Sequence, residues 1–173
     1  MDLSEQDLKK IKSLHVMLKM PIWILERETN RVLKSYKSIY KHPISYEFKE
    51  KNISDEVVQF YSGMLNEIFL CLWYQDVRIV IGAFRINNVT STEFSHVYDN
   101  LTPENKKILS EKECWEYYSS LPVYPLGDIR DYLILLGFLF DMNLEEIYSE
   151  ELHKQVGENQ LELVRKSAED TAY

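Results

Sequence analysis

Histidine, cysteine and carboxylate side chains are the groups that could do chemistry in this chain, and their spacing does not assemble a reactive site. His15, His42, His96 and His153 are scattered, with none spaced as a ligand pair with another His or a Cys. A metal centre needs several such ligands converging. Cys71 lies inside Ile68-Phe69-Leu70-Cys71-Leu72-Trp73 and reads as a buried thiol. With Cys114 it makes two cysteines, too few for a disulfide framework. His96 follows Glu93 by one helical turn and reads as a surface pair. Asp128 and Asp131 share a helical face, but in a first turn two carboxylates serve capping and the helix dipole. The five glycines stand alone, so no loop is built to cradle phosphate. No Ser-His-acid or Cys-His arrangement has a local motif. The expectation is a non-enzyme with no cofactor and no metal.

One arrangement is richer. If Gln75-Asp76 is a two-residue turn, Trp73 pairs with Arg78, Cys71 with Val80, Phe69 with Gly82 and Glu67 with Phe84. These residues share one face of a hairpin. Ile68, Leu70, Leu72, Tyr74, Val77, Ile79, Ile81 and Ala83 take the other and read as aliphatic core. The first face has the make-up of a pocket wall, with an apolar body, few polar groups and a glycine leaving space. Phe69, Cys71, Trp73, Arg78, Gly82 and Phe84 are therefore the candidate ligand-binding residues. The same set also fits ordinary sheet packing, with Phe69 covering Gly82 and Arg78 stacked on Trp73.

The elements that must position this wall follow from patterning. Leu3, Leu8, Ile11, Leu14 and Leu18 recur near helical spacing over 2–20, capped by Asp2 with Glu5 or by Ser4 with Asp7, and Pro21 ends the helix. Ile22–Glu26 and Arg31–Tyr36 flank a polar loop of hairpin length. A short strand is expected over Ile44–Phe48. Ser54-Asp55-Glu56 is read as the start of a helix carrying Val57, Val58, Phe60, Tyr61, Met64 and Leu65. Glu67–Tyr74 and Val77–Ile86 are β-branched and aromatic, and nearly all apolar, so this hairpin should be central and covered on both faces. Helices follow, capped at Ser91 or Thr92, opened by Thr102-Pro103, and spanning Glu111–Leu121. Pro122 and Pro125 bracket a kinked connection. A strongly apolar helix then starts at Gly127-Asp128, with Asp131 closing a capping box.

Composition bounds the class. The chain has 173 residues with 12 Tyr, 7 Phe and 3 Trp, enough for one domain with an aromatic-rich core. Its net charge of −8 argues against direct binding of nucleic acid by this chain. Basic residues prevail in the first 52 residues and acidic ones thereafter, which reads as the bias of separate solvated faces. The N-terminus lacks the charged and apolar regions of a signal peptide. The longest apolar run, Tyr132 to Phe140, is far short of the roughly 20 residues of a membrane span. A cytoplasmic protein that does not enter a membrane is expected. The expected fold is α+β, a central antiparallel sheet with flanking helices over 1–141, followed by a C-terminal helical segment over 142–173 that acts as linker or dimerisation segment.

The order of helix, hairpin, helix, central hairpin and helical finish resembles GAF- and PAS-like sensor domains. More specifically, four segments resemble the N-terminal sensor region of AraC-type transcriptional regulators of Gram-positive bacteria: Leu18-Lys19-Met20-Pro21-Ile22-Trp23-Ile24-Leu25, Arg78-Ile79-Val80-Ile81-Gly82-Ala83-Phe84, Leu121-Pro122-Val123-Tyr124-Pro125-Leu126-Gly127-Asp128 and Glu158-Asn159-Gln160-Leu161-Glu162-Leu163. In the second, Ala83 stands where the family often has Pro. The resemblance implies a signal-input and dimerisation domain: a homodimer, a small-molecule or peptide effector, and DNA bound only through helix-turn-helix units C-terminal to this region. No such pair can be placed after the apolar helix, so the chain reads as the input part of a longer regulator. The alternative is a ligand-free structural dimerisation module.

Overall fold

The computed structural model describes residues 3–37 and 58–142. Among them the fold is α+β, with one five-stranded antiparallel sheet and flanking helices. Helix α1 (Glu5–Leu18) opens on a capping box in which the Ser4 side chain accepts from the Asp7 amide and Asp7 accepts from the Ser4 amide. Of the two caps open in the sequence, this is the one used. β1 (Ile22–Glu26) and β2 (Val32–Tyr36) form the first hairpin, followed by β3 (Val58–Ser62), β4 (Ile68–Tyr74) and β5 (Val77–Phe84). The strand order is β2-β1-β5-β4-β3. β5 is central, and every residue of it is buried. Its turn to β4 is Gln75-Asp76, with Gln75 at φ 53°.

Three sequence expectations change here. The segment read as a helix beginning near residue 54 is strand β3 over its described part, paired with β4. Val58 and Phe60 are buried two residues apart, which is the period of a strand. A short apolar run fits both periods, and the exposed edge of β4 decided between them. The last helix carries no capping box: Pro125 is its N-cap, and no side chain caps it. The helix after β5 is capped by Thr90 with Glu93, one residue before the expected position. The strand expected over Ile44–Phe48 and the segment over 143–173 lie outside the described residues.

Two faces of the sheet carry separate packing. On one lie α1 and α5 (Leu126–Phe140), whose Ile11, Leu14, Leu18, Ile129, Leu133, Leu136 and Phe140 meet Ile24, Phe60, Leu70, Ile79 and Ile81 of the sheet. The Tyr74 hydroxyl donates to Asp7 near the start of α1, and its ring lies 4.9 Å from Phe140 at the end of α5. At the opposite end the Tyr124 hydroxyl, just before α5, donates to the Leu18 carbonyl. The two helices therefore cross the sheet antiparallel. The other face holds Leu25, Phe69, Cys71, Val80 and Ala83, with Trp23 and Leu121 at its margin.

The helices α2 (Ser91–Asp99), α3 (Pro103–Ile108) and α4 (Glu111–Ser120) build a core of their own. Leu65, Phe94, Val97, Leu109, Cys114 and Tyr118 are among its buried members. Phe94 meets Trp115 and Tyr118 in tilted contacts at centroid distances of 5.3 and 5.0 Å. Arg85 ties this core to the sheet. Its guanidinium donates to the Ser119 and Leu121 carbonyls at 3.0–3.2 Å, where a cation also meets the negative end of the α4 dipole. Backbone bonds from Arg85 to Pro122 and from Tyr124 to Arg85 fix the connection into α5.

Candidate functional site

Five of the six expected wall residues come together. Phe69 is opposite Gly82, Cys71 opposite Val80 and Trp73 opposite Arg78, the register of a two-residue turn. The sixth does not join them. Ile68, not Glu67, is opposite Phe84, because the ladder slips by one residue between Ile68 and Phe69. This bulge next to a glycine reverses the alternation at the end of β5. Ala83 falls on the wall face, and Phe84 turns to the α1/α5 face.

The wall face is filled rather than hollow at its centre. A Cβ on Gly82 would lie 2.7 Å from Phe69 Cδ1, so the Phe69 ring occupies the space the glycine leaves. The Arg78 guanidinium carbon is 4.0 Å from the Trp73 ring centroid, and that of Arg27 is 4.4 Å from it. Such stacking anchors aromatic rings at a sheet end. Burial pushes the Cys71 thiol well above its ordinary range, with Arg78 opposing in part, so it is no nucleophile at neutral pH.

The opposite face, which sequence patterning reads as plain core, contains a cleft. It is lined by Leu18 at the end of α1, by Met20, by Phe60, Leu70, Ile81 and Phe84 of the sheet, by Tyr124, and by Ile129, Tyr132 and Leu136 of α5. Its volume is about 20 Å³, room for about one water molecule. Two tyrosines stand over it: the Tyr124 and Tyr132 rings meet edge-on at 4.8 Å, and Phe84 lies 5.8 Å from Tyr124. Burial, with Tyr132 adding to it, pushes the Tyr124 hydroxyl up to about 12. The lining is apolar, so what the cleft offers a guest is shape-selective contact. Sequence reasoning missed this cleft because its walls come from both ends of the chain. The available signal was the Pro122–Pro125 bracket, which sets Tyr124 beside Phe84.

A second depression of about 380 Å³ lies between α2 and α4, lined by Ser91, Thr92, Phe94, Ser95, Glu111, Lys112 and Trp115. Ser95 Oγ donates to Glu111 at 2.5 Å across it. It is an open surface groove in which the Ser95 hydroxyl is engaged by the Ser91 carbonyl and Glu111. Among the described residues no helix is long and apolar enough to cross a membrane. Comparison with protein-family models, with curated proteins and with solved structures finds no match to this chain.

Proposed function

We propose that this chain is the signal-input and dimerisation domain of a transcriptional regulator of the AraC type, and that its effector, an apolar small molecule or peptide, enters between the sheet and α5. The position of α5 carries the proposal. One of its faces closes the apolar cleft, and its C-terminal end leads into residues 142–173, the segment that would connect to a DNA-binding domain. A ligand wedged under Ile129, Tyr132 and Leu136 has to move α5. It acts only to the extent that it binds the displaced arrangement more tightly than the closed one. The outer face of α5 supports the homodimer: Ile134 is exposed, and Phe138, one turn on, is 85% exposed. Apolar side chains so placed favour association with a second apolar surface.

A thermal-shift screen of apolar metabolites and short peptides tests the proposal. A ligand near 100 times its dissociation constant adds roughly 2.7 kcal/mol, and that gain should vanish when Leu136→Asp introduces a charge into the cleft of a still-folded protein. Sedimentation should show a dimer that Phe138→Glu converts to monomer. The small cleft volume favours a second reading, a ligand-free structural dimerisation module. Dimerisation without any stabilising ligand would establish that one instead.

A further inference from the structure

Glu67 is the one carboxylate among the described residues that has lost all contact with solvent, with 0% of its surface exposed. It sits where the β3–β4 turn meets the α2–α4 core. Its side chain folds back over Gly63 so closely that Oε1 occupies the place a Cβ would take there. The Leu65 amide approaches Oε1 at 3.5 Å, and Oε2 has no hydrogen-bond partner. Beside it Tyr118 is equally buried, and its hydroxyl also lacks a partner. A carboxylate in such a site needs strong donors or a cation; beyond two backbone amides, the α2 and α4 side chains around it supply neither.

From α4 it meets Cys114 and Tyr118, both held neutral by burial and pushed further up by Glu67 itself. From α2, Phe94 is apolar, and Glu93, which bears on Tyr118, is another acid. Arg85 lies over the Tyr118 ring at 5.4 Å, but its guanidinium is engaged by the Ser119 and Leu121 carbonyls. Two backbone amides, of Leu65 and of Glu67, favour the charged form and are outweighed by desolvation, which pushes the carboxyl up to about 8.

We propose that Glu67 is a proton-operated latch: the neutral acid holds the β3–β4 turn against α4, and its ionisation loosens the α2–α4 core while the sheet and α1/α5 stay packed. The ionised group has to reach water. The short path is outward movement of the turn through Gly63 to Asn66, which uncovers Leu65, Cys114 and Tyr118. The central strands need not move, because Glu67 precedes the ladder of β4.

Hydrogen–deuterium exchange on the whole chain between pH 6 and 9, corrected for intrinsic exchange, tests this. Protection of the Leu65 amide and of α4 should fall about tenfold per pH unit above the midpoint, while β5 amides keep theirs. Glu67→Gln, neutral and of the same shape, should abolish that fall. Equal pH profiles in wild type and variant would overturn the latch, as would parallel loss of protection in β5. Isotope-edited carboxyl spectra of the unmodified protein give a readout independent of the variant: a Glu67 proton retained at pH 7 supports the latch, and an ionised Glu67 at pH 6 overturns it.

Discussion

The two cores of this molecule are built by different rules. The core between the sheet and α1/α5 is almost wholly apolar, with Ile, Leu and Val of the strands meeting two helices, the Asp7–Tyr74 hydrogen bond at one end and the cleft below Tyr124 and Tyr132 at the other. The core of α2–α4 is smaller and more aromatic, and it holds a thiol, a phenol and a carboxyl out of water. An apolar core responds to volume, since removing a methyl leaves a cavity and inserting a wedge moves a helix. A core with a buried carboxyl responds to protons. On the two proposals made above, the first region would answer an apolar ligand and the second a pH signal, and the two are joined through Arg85 and the 122–124 connection.

The comparison breaks most readily at Leu133, fully buried where α5 crosses the sheet. Leu133→Ala should cost about 2–5 kcal/mol in urea unfolding at all pH values. A loss under 1 kcal/mol would mean that α5 packs too loosely to act as a reporter of the cleft. Glu67→Gln tests the second core, and its sign follows from linkage. The folded carboxyl holds its proton to about pH 8, whereas the ordinary value is 4.5. The unfolded chain therefore releases a proton that the folded one retains, and stability falls as pH rises from about 4.5 to 8. Glu67→Gln should remove that slope and be more stable than wild type at pH 8 by about 4 kcal/mol, with the gain largely gone at pH 4.5. A wild-type stability that rises across this window would contradict the assignment.

Gly82→Ala sharpens the account of the filled wall face. The new methyl meets Phe69 and the Ile68 carbonyl, so unfolding should cost about 1–3 kcal/mol less than in wild type. An unchanged midpoint would show that Phe69 has room to retreat and that the face is softer than the contact distances imply. The smallest effect is expected at Ser4→Ala, which removes one half of the α1 capping box and should cost about 1 kcal/mol. The shift should be the same at pH 5 and pH 8, because α1 packs on the core that does not contain Glu67.

Much of the fold was legible because local signals agreed with the tertiary outcome. Pro21 ends a helix and Thr102-Pro103 begins one. The β-branched runs around Gln75-Asp76 pair in the expected register as far as Gly82. What was not legible depends on partners distant in sequence. Val58 and Phe60 are strand residues only because β4 offers an unpaired edge. Phe84 changes faces because of a single slipped residue, which a period-2 reading carries straight past. Glu67 looked like a strand residue on the wall face. The overlooked signal was an acid set directly against the all-apolar run Ile68–Trp73, with a glycine four residues before it to receive its side chain. The cleft was invisible for a related reason, since no segment of the chain contains more than a few of its walls.

The central claim is that the space beneath α5, rather than the hairpin face holding Phe69 and Cys71, opens to an apolar guest. Benzene is a direct probe, because a cleft of about 20 Å³ admits it only if α5 moves. Methyl NMR of the protein titrated with benzene should show shifts at Leu18, Leu70, Ile81 and Leu136, with Leu25 and Val80 on the other face unchanged. Shifts confined to Leu25 and Val80, or none at millimolar benzene, would contradict it.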